Sequence, residues 1–286
     1  MTERPPTGFA ILRAQHLFAY QTRFRAVCTR LGTALDHPVE PFTARGYGEL
    51  TGAFEKGVVG LAWVPPITAA RLARRQLAVP LALPRRHGHL DYHSVMITHE
   101  DRASDLAAFA SPRVAWVDPE SAAGYLAARG PLLAAGVTNF SSEAFLGSHS
   151  AVVDAVAVRA VDLGATFATH DAALGTVVDA EWLDSRGVKL RPVKVIARFG
   201  AIPNDCIVAS TRWPVGLRQR AQEWLFRSPP GELDILSSLL RTESFEPVDD
   251  AWHAGVERVL AQARAHGVPE LGSRRSHDLR RPSDSR

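Results

Sequence analysis

Short apolar runs alternate along this chain with longer stretches in which apolar residues recur at helical spacing. Phe9 to Leu12 predicts a short strand and Tyr20 to Leu35 a helix. Val39 to Thr43 reads as a second strand and Tyr47 to Lys56 as a second helix. Gly57 then leads into the apolar run Val58 to Val64, closed by Pro65 and Pro66. Strands separated by helices of about ten residues indicate βα units and a mostly parallel sheet.

The middle of the chain repeats this rhythm. Tyr92 to Thr98 alternates apolar and polar residues, which predicts a strand with one exposed face. Ser104 to Phe109 reads as a short helix and Arg113 to Val117 as a buried strand. Asp118-Pro119-Glu120-Ser121 punctuates the start of a helix running to about Arg129. In Ser150 to Ala160, Val152, Ala155, Val156 and Arg159 share a helical face. Asp162 to Thr166 and Val193 to Phe199 read as strands, as does Ile207 to Ala209. Helices are expected over Gly216–Arg227, Glu232–Leu240 and Asp249–Ala265, the last with Trp252, Val256, Val259, Leu260 and Ala263 on one stripe. From Val268 the chain is Arg, Ser, Asp and Pro with almost no apolar residue, which predicts a disordered tail over 268–286.

Composition narrows the function without naming it. With 286 residues, 46% hydrophobic and 22% charged, the chain is long enough for two modest lobes. The net charge is only +3 and the arginines are scattered, so no basic stripe for nucleic acid is expected. Cys28 and Cys206 stand alone in apolar surroundings and read as buried reduced thiols. No run approaches the roughly 20 apolar residues of a membrane span. The polar, Pro-rich opening lacks a signal-peptide pattern. That predicts a cytoplasmic protein as written, or a periplasmic one if the start site is misassigned.

The candidate chemistry is that of binding. A buried strand running into Ser121 at a helix cap presents free backbone N–H groups and a partial positive charge, which suit phosphate, phosphonate or carboxylate. Gly124 in the first turn would allow a ligand or another backbone to approach closely. Gly147-Ser148-His149-Ser150 opens a second helix, and His149 is a candidate donor titrating near neutral pH. Tyr92, in Tyr92-His93-Ser94, could turn its hydroxyl into a cleft. His87, His89 and His93, with Asp91, lie in a Pro/Arg-rich turn and read as a surface loop, so no metal is expected. Neither a Gly-x-Ser-x-Gly elbow nor a Walker A loop nor a Gly-x-Gly-x-x-Gly turn is present, and no cofactor is expected.

In order and spacing, these pieces resemble the phosphonate-binding components of bacterial ABC importers and the wider type II periplasmic binding protein family. The resemblance runs through Gly46-Tyr47-Gly48-Glu49-Leu50, Val58 to Pro66 and Tyr92-His93-Ser94-Val95. It continues through Asp118-Pro119-Glu120-Ser121 with Gly124-Tyr125, Gly147-Ser148-His149, Asp162-Leu163-Gly164-Ala165 and Ile202-Pro203-Asn204-Asp205. It implies an α/β fold of two lobes joined by crossover strands, with Tyr92 to Val95 and Val193 to Phe199 as the crossovers. Lobe 1 would hold 1–92 and return over 199–267, and lobe 2 would hold 93–198.

By matching position, Tyr92, Ser121, His149 and the backbone N–H groups of Ala122 and Ala123 would face a small anionic ligand. Ser121-Ala122-Ala123-Gly124 stands where the family usually carries Ser-Thr-Ser-Gly, so two hydroxyl donors are replaced by backbone N–H groups alone. Gly60 stands where an acidic residue is common. The resemblance implies a monomeric, non-catalytic solute-binding protein with an ABC importer permease as partner. A cytoplasmic enzyme on the same fold, similar to menaquinone-pathway dehydratases or pyrimidine-precursor synthases, is the alternative, as is a ligand sensor.

Overall fold

In the computed structural model, residues 4–12, 17–171, 173–184, 186–228, 231 and 233–268 are described. The chain opens with β1 (Gly8–Leu12), α1 (Leu17–Leu35), β2 (Glu40–Ala44), α2 (Tyr47–Glu55), β3 (Val59–Val64), α3 (Pro66–Arg74) and β4 (Ala78–Arg85). It continues with β5 (Asp91–His99), β6 (Arg113–Trp116), α4 (Ala127–Ala134), β7 (Ser142–Phe145), α5 (His149–Ala157), β8 (Leu163–His170), β9 (Val177–Ala180) and β10 (Val193–Pro203). It closes with β11 (Cys206–Ser210), α6 (Val215–Arg227), α7 (Asp234–Leu240), β12 (Ser244–Glu246) and α8 (Asp250–Ala265).

These elements form two sheets. The first, in lobe 1, has the order β12-β4-β11-β3-β1-β2, and the second, in lobe 2, the order β10-β5-β8-β6-β7 with β9 added on β8. In lobe 1, β1 pairs in parallel with β2 and β3, whereas β11 runs antiparallel to β3 and β4. Alternation along β1 sends Phe9 and Ile11 to one face, where Phe24, Leu31, Trp213 and Leu217 from α1, α6 and the loop before α6 pack. Ala10 faces the opposite side, against Leu50, Phe54, Ile67 and Val256 from α2, α3 and α8. Each fully buried Phe or Leu contributes about 1.5–3 kcal/mol relative to exposure.

Segments 86–90 and 204–205 carry the chain between the sheets. Asn204 fastens them together. Its backbone N–H donates to Leu90 O (2.8 Å), and its Nδ2 donates to Pro84 O (2.8 Å) and His89 O (3.1 Å). Trp252 of α8 donates from Nε1 to Asn204 O (3.0 Å). The boundaries expected at 92/93 and 198/199 fall inside β5 and β10, which pair antiparallel over most of their length.

Several expectations need correction. β5 has no exposed face, because it lies between β10 and β8 with α5 and the 122–126 turn packed near it. Its polar alternation is absorbed by hydrogen bonds, from Ser94 Oγ to Ala123 O (2.7 Å) and from Thr98 Oγ1 to Asp162 O (2.8 Å). Pro66 does not merely close a strand but opens α3, where its missing N–H costs nothing. The helix expected over 104–109 is a single 3₁₀ turn, Leu106–Ala108. On α5 the buried side is Val152, Val153 and Val156, while Arg159 is exposed. Val268, placed at the head of the tail, is buried against the core, and 269–286 lie outside the described residues. Cys28 and Cys206 are buried free thiols, and burial pushes Cys28 up to about 12. No helix among the described residues is long and apolar enough to cross a membrane.

Candidate functional site

A cavity of about 430 Å³ opens between the lobes. Tyr47, Trp63, Arg86 and Asp205 line it from the side of the first sheet, and Tyr92, His149, Phe167 and Asp179 from the side of the second. Two of the sequence candidates, Tyr92 and His149, therefore meet at one site.

The strand–turn–helix at Ser121 is built differently from an ordinary capped α-helix. Ser121 Oγ accepts from Gly124 N–H (3.0 Å), and Leu126 N–H reaches five residues back to Ser121 O (3.0 Å). Residues Ala122–Leu126 thus form one wide π-helical turn before α4. Ser121, Ala122 and Ala123 are all buried and are not among the residues lining the cavity. Tyr47, which does line it, brings its hydroxyl close to the Ser121 side chain. A Cβ on Gly124 would meet Val117 Cγ2 at 2.3 Å, so the glycine is required by a side chain rather than by a ligand or another backbone.

Tyr92, second residue of β5, stands edge-on to Phe167, with ring centroids 6.2 Å apart. Burial, with Asp205 nearby, raises its pKa well above the usual phenol value, so the hydroxyl stays protonated. Burial likewise raises Tyr47. Both are hydroxyl donors at any physiological pH.

His149 is the first residue of α5, after Ser148, whose side chain accepts from Ala151 N–H (3.2 Å). Its ring meets Phe167 edge-on at 5.1 Å, and Nδ1 lies 2.9 Å from Thr166 Oγ1. Desolvation pushes it down to about 4, so the expected titration near neutrality is corrected. The buried Thr166 hydroxyl has this ring as its partner; in the tautomer where it donates to Nδ1, the ring proton sits on Nε2. Nε2–H is then available to a guest.

The charges of the cleft are paired. Arg86 contacts Asp205 at 3.2 Å, donates to Leu240 O (2.9 Å) and stacks over the Trp63 ring at 5.5 Å. Arg241 donates to Asp179 (2.8 Å). Burial raises Asp205 while Arg86 opposes it. Beside the cleft, Arg71 of α3 pairs with Glu120 (2.6 Å), and burial raises both Asp118 and Glu120. Arg241 closes α7 in the left-handed conformation (φ 50°, ψ 48°), a position that usually selects glycine and costs another residue about 1 kcal/mol.

Sequence reasoning passed over Tyr47, Trp63, Arg86, Asp179, Asp205 and Arg241. Tyr47 and Asp205 stood inside quoted motifs, Gly46-Tyr47 and Asn204-Asp205, and an aromatic or carboxylate at such a motif was the available signal. Arg86, Asp179 and Arg241 carried none, since their roles arise from pairing across long sequence separations. Of the histidine cluster, His87 (φ 48°) and His89 belong to a turn, and His93 instead meets His170 edge-on at 5.4 Å. Among the described residues no group of three or more metal-ligating side chains converges.

Comparison with known proteins agrees with this architecture. No curated protein sequence matches the chain significantly. A Xanthomonas citri protein bound to chloride shares the fold at a TM-score of 0.73 and 17% identity, covering 92% of this chain and 99% of that one. PhnD1 of Prochlorococcus marinus in complex with methylphosphonate gives 0.73 and 16%, covering 92% and 98%. A binding-protein component of an ABC phosphonate transporter from Pseudomonas aeruginosa gives 0.71 and 17%, covering 93% and 88%. At these identities the likeness is one of fold, the two-lobed fold expected from the sequence. The model of the phosphonate-binding, periplasmic substrate-binding proteins of ABC transporters matches residues 9–253. Over that span, most of its length, the chain belongs to this phosphonate-binding family of ABC-transporter substrate-binding proteins.

Proposed function

We propose that this protein binds a small oxyanion, phosphonate-like, phosphate-like or carboxylate, in the interlobe cavity and presents it to an ABC importer permease. One observation carries the reading: Tyr47, Tyr92 and His149 bring neutral hydrogen-bond donors from both lobes to a single cavity. The arginines there are already paired with carboxylates, so the anion's charge is met by dipolar donors rather than by surplus positive charge. Dipoles fixed by the fold serve this purpose well in a partly dry cleft.

In this reading Tyr92 donates its hydroxyl and His149 its Nε2–H. Ser121, beside the Tyr47 hydroxyl, and the first-turn N–H groups of Ala122 and Ala123 add their dipoles from behind the wall. Lobe 1 (1–92 and 199–267) and lobe 2 (93–198) close on the guest by a hinge motion. The protein works as a monomer, without a metal or cofactor.

Calorimetry against methylphosphonate, inorganic phosphate, an alkyl sulfonate and small carboxylates tests this. At a hundredfold excess over Kd, binding is expected to raise Tm by roughly 5 °C or more. Silence from all four classes with an intact fold would overturn the anion assignment.

A further inference from the structure

Among the described residues, two ion pairs cross from one lobe to the other around the cavity: Arg71 to Glu120, and Arg241 to Asp179. The second is of a different kind. Arg241 follows α7, whose Leu236, Leu239 and Leu240 are buried in the lobe 1 core. Asp179 lies on β9, hydrogen-bonded to β8 of lobe 2. Both residues line the cavity itself, so the pair bridges it from one lobe to the other. Asp179 is buried, with its side chain 9% exposed, while the Arg241 side chain is 51% exposed and faces solvent on one side.

The backbone at Arg241 adds a second, independent observation. Helix α7 is closed by Arg241 N–H and Thr242 N–H, both donating to Ser237 O, with Arg241 left-handed. Glycine would satisfy this closure without strain. A large cationic residue held there works against local stability, and strain of this kind marks a position where the side chain has a task.

We infer that Arg241 and Asp179 form an interlobe latch that holds the cleft closed before any ligand arrives. The latch sets what fraction of the empty protein is closed. A ligand that selects the closed form then binds more tightly in proportion to that fraction. This inference does not depend on which ligand binds, because its first consequence is read on the empty protein.

Small-angle scattering of the ligand-free chain provides the test. R241A and D179N should each raise the radius of gyration, through a roughly two- to fivefold shift of the closed-to-open ratio. The double variant should match the singles rather than sum them. R241G separates the latch from the helix end, since it should keep or raise thermal stability while opening the cleft as R241A does. The exchange R241D/D179R should recover part of the compaction. A wild type already as extended as R241A would overturn the latch. So would unchanged dimensions in both R241G and D179N.

Discussion

The Thr166 hydroxyl lies 2.9 Å from His149 Nδ1, and through that contact a residue of β8 holds the orientation of an imidazole that lines the cavity. T166V removes the donor and lets the tautomer drift. Ligand affinity is expected to fall about three- to tenfold, the worth of one neutral hydrogen bond. H149A removes the donor to the anion itself and should cost roughly 10- to 100-fold. Calorimetry with the best ligand of the screen checks both. An H149A protein that binds as well as wild type would remove His149 from the site.

The same residue predicts how stability changes with pH. Burial lowers His149 from 6.5 to about 4. Between those values the unfolded chain binds a proton that the folded chain refuses. Stability is therefore intact above pH 6.5 and lost as pH falls toward 4, by on the order of 1–2 kcal/mol for a half-buried ring. His93 and His170, also lowered by burial, act in the same sense. Asp118, Glu120 and Asp205 are raised and act oppositely over the acidic part of the range. Urea unfolding of wild type and H149Q across pH 4–7 isolates the histidine: wild-type stability relative to H149Q should fall as pH drops from 6.5 toward 4 and be constant above 6.5.

Gly60 departs from the acidic residue common at its position, and the structure supplies the reason. A Cβ there would meet Trp213 Nε1 at 2.1 Å and Pro6 O at 2.5 Å, two atoms that are hydrogen-bonded to each other (2.7 Å). G60A is expected to destabilise by about 1–3 kcal/mol through overpacking. Its ligand affinity should stay near that of wild type, because Gly60 is not among the residues lining the cavity. Denaturant unfolding beside calorimetry checks the separation.

Arg86 and Asp205 are the buried ion pair of the cleft wall, with side chains 12% and 18% exposed. R86M strands the carboxylate without its partner and should cost roughly 2–4 kcal/mol, whereas D205N, which leaves a polar partner for the guanidinium, should cost less. Chemical denaturation of the two variants reads the asymmetry, and equal losses would argue against a desolvated pair.

Much of lobe 1 was legible because β1 and β3 are buried apolar runs and α2 and α8 keep a buried helical stripe. The missed elements fail for identifiable reasons. β7 is exposed along its whole length and carries no pattern, and α3 begins on a Pro-Pro pair that reads equally well as a stop. β5 misled because Ser94 and Thr98 find hydrogen-bond partners inside the protein, a satisfaction that alternation cannot reveal. At the site, Tyr92 and His149 were readable from motif positions. The arginine–carboxylate pairs join residues 119 and 62 positions apart, so only the fold brings them together.

The binding of both connections by Asn204 has a mechanical consequence. Two separate tethers would let the lobes twist, slide and swing independently. With Leu90, Pro84, His89 and Trp252 gathered on one asparagine, the two tethers behave as a single pivot anchored to α8. A swing of one lobe against the other would turn about that point, and a contact across the cavity would act at the far end of the lever.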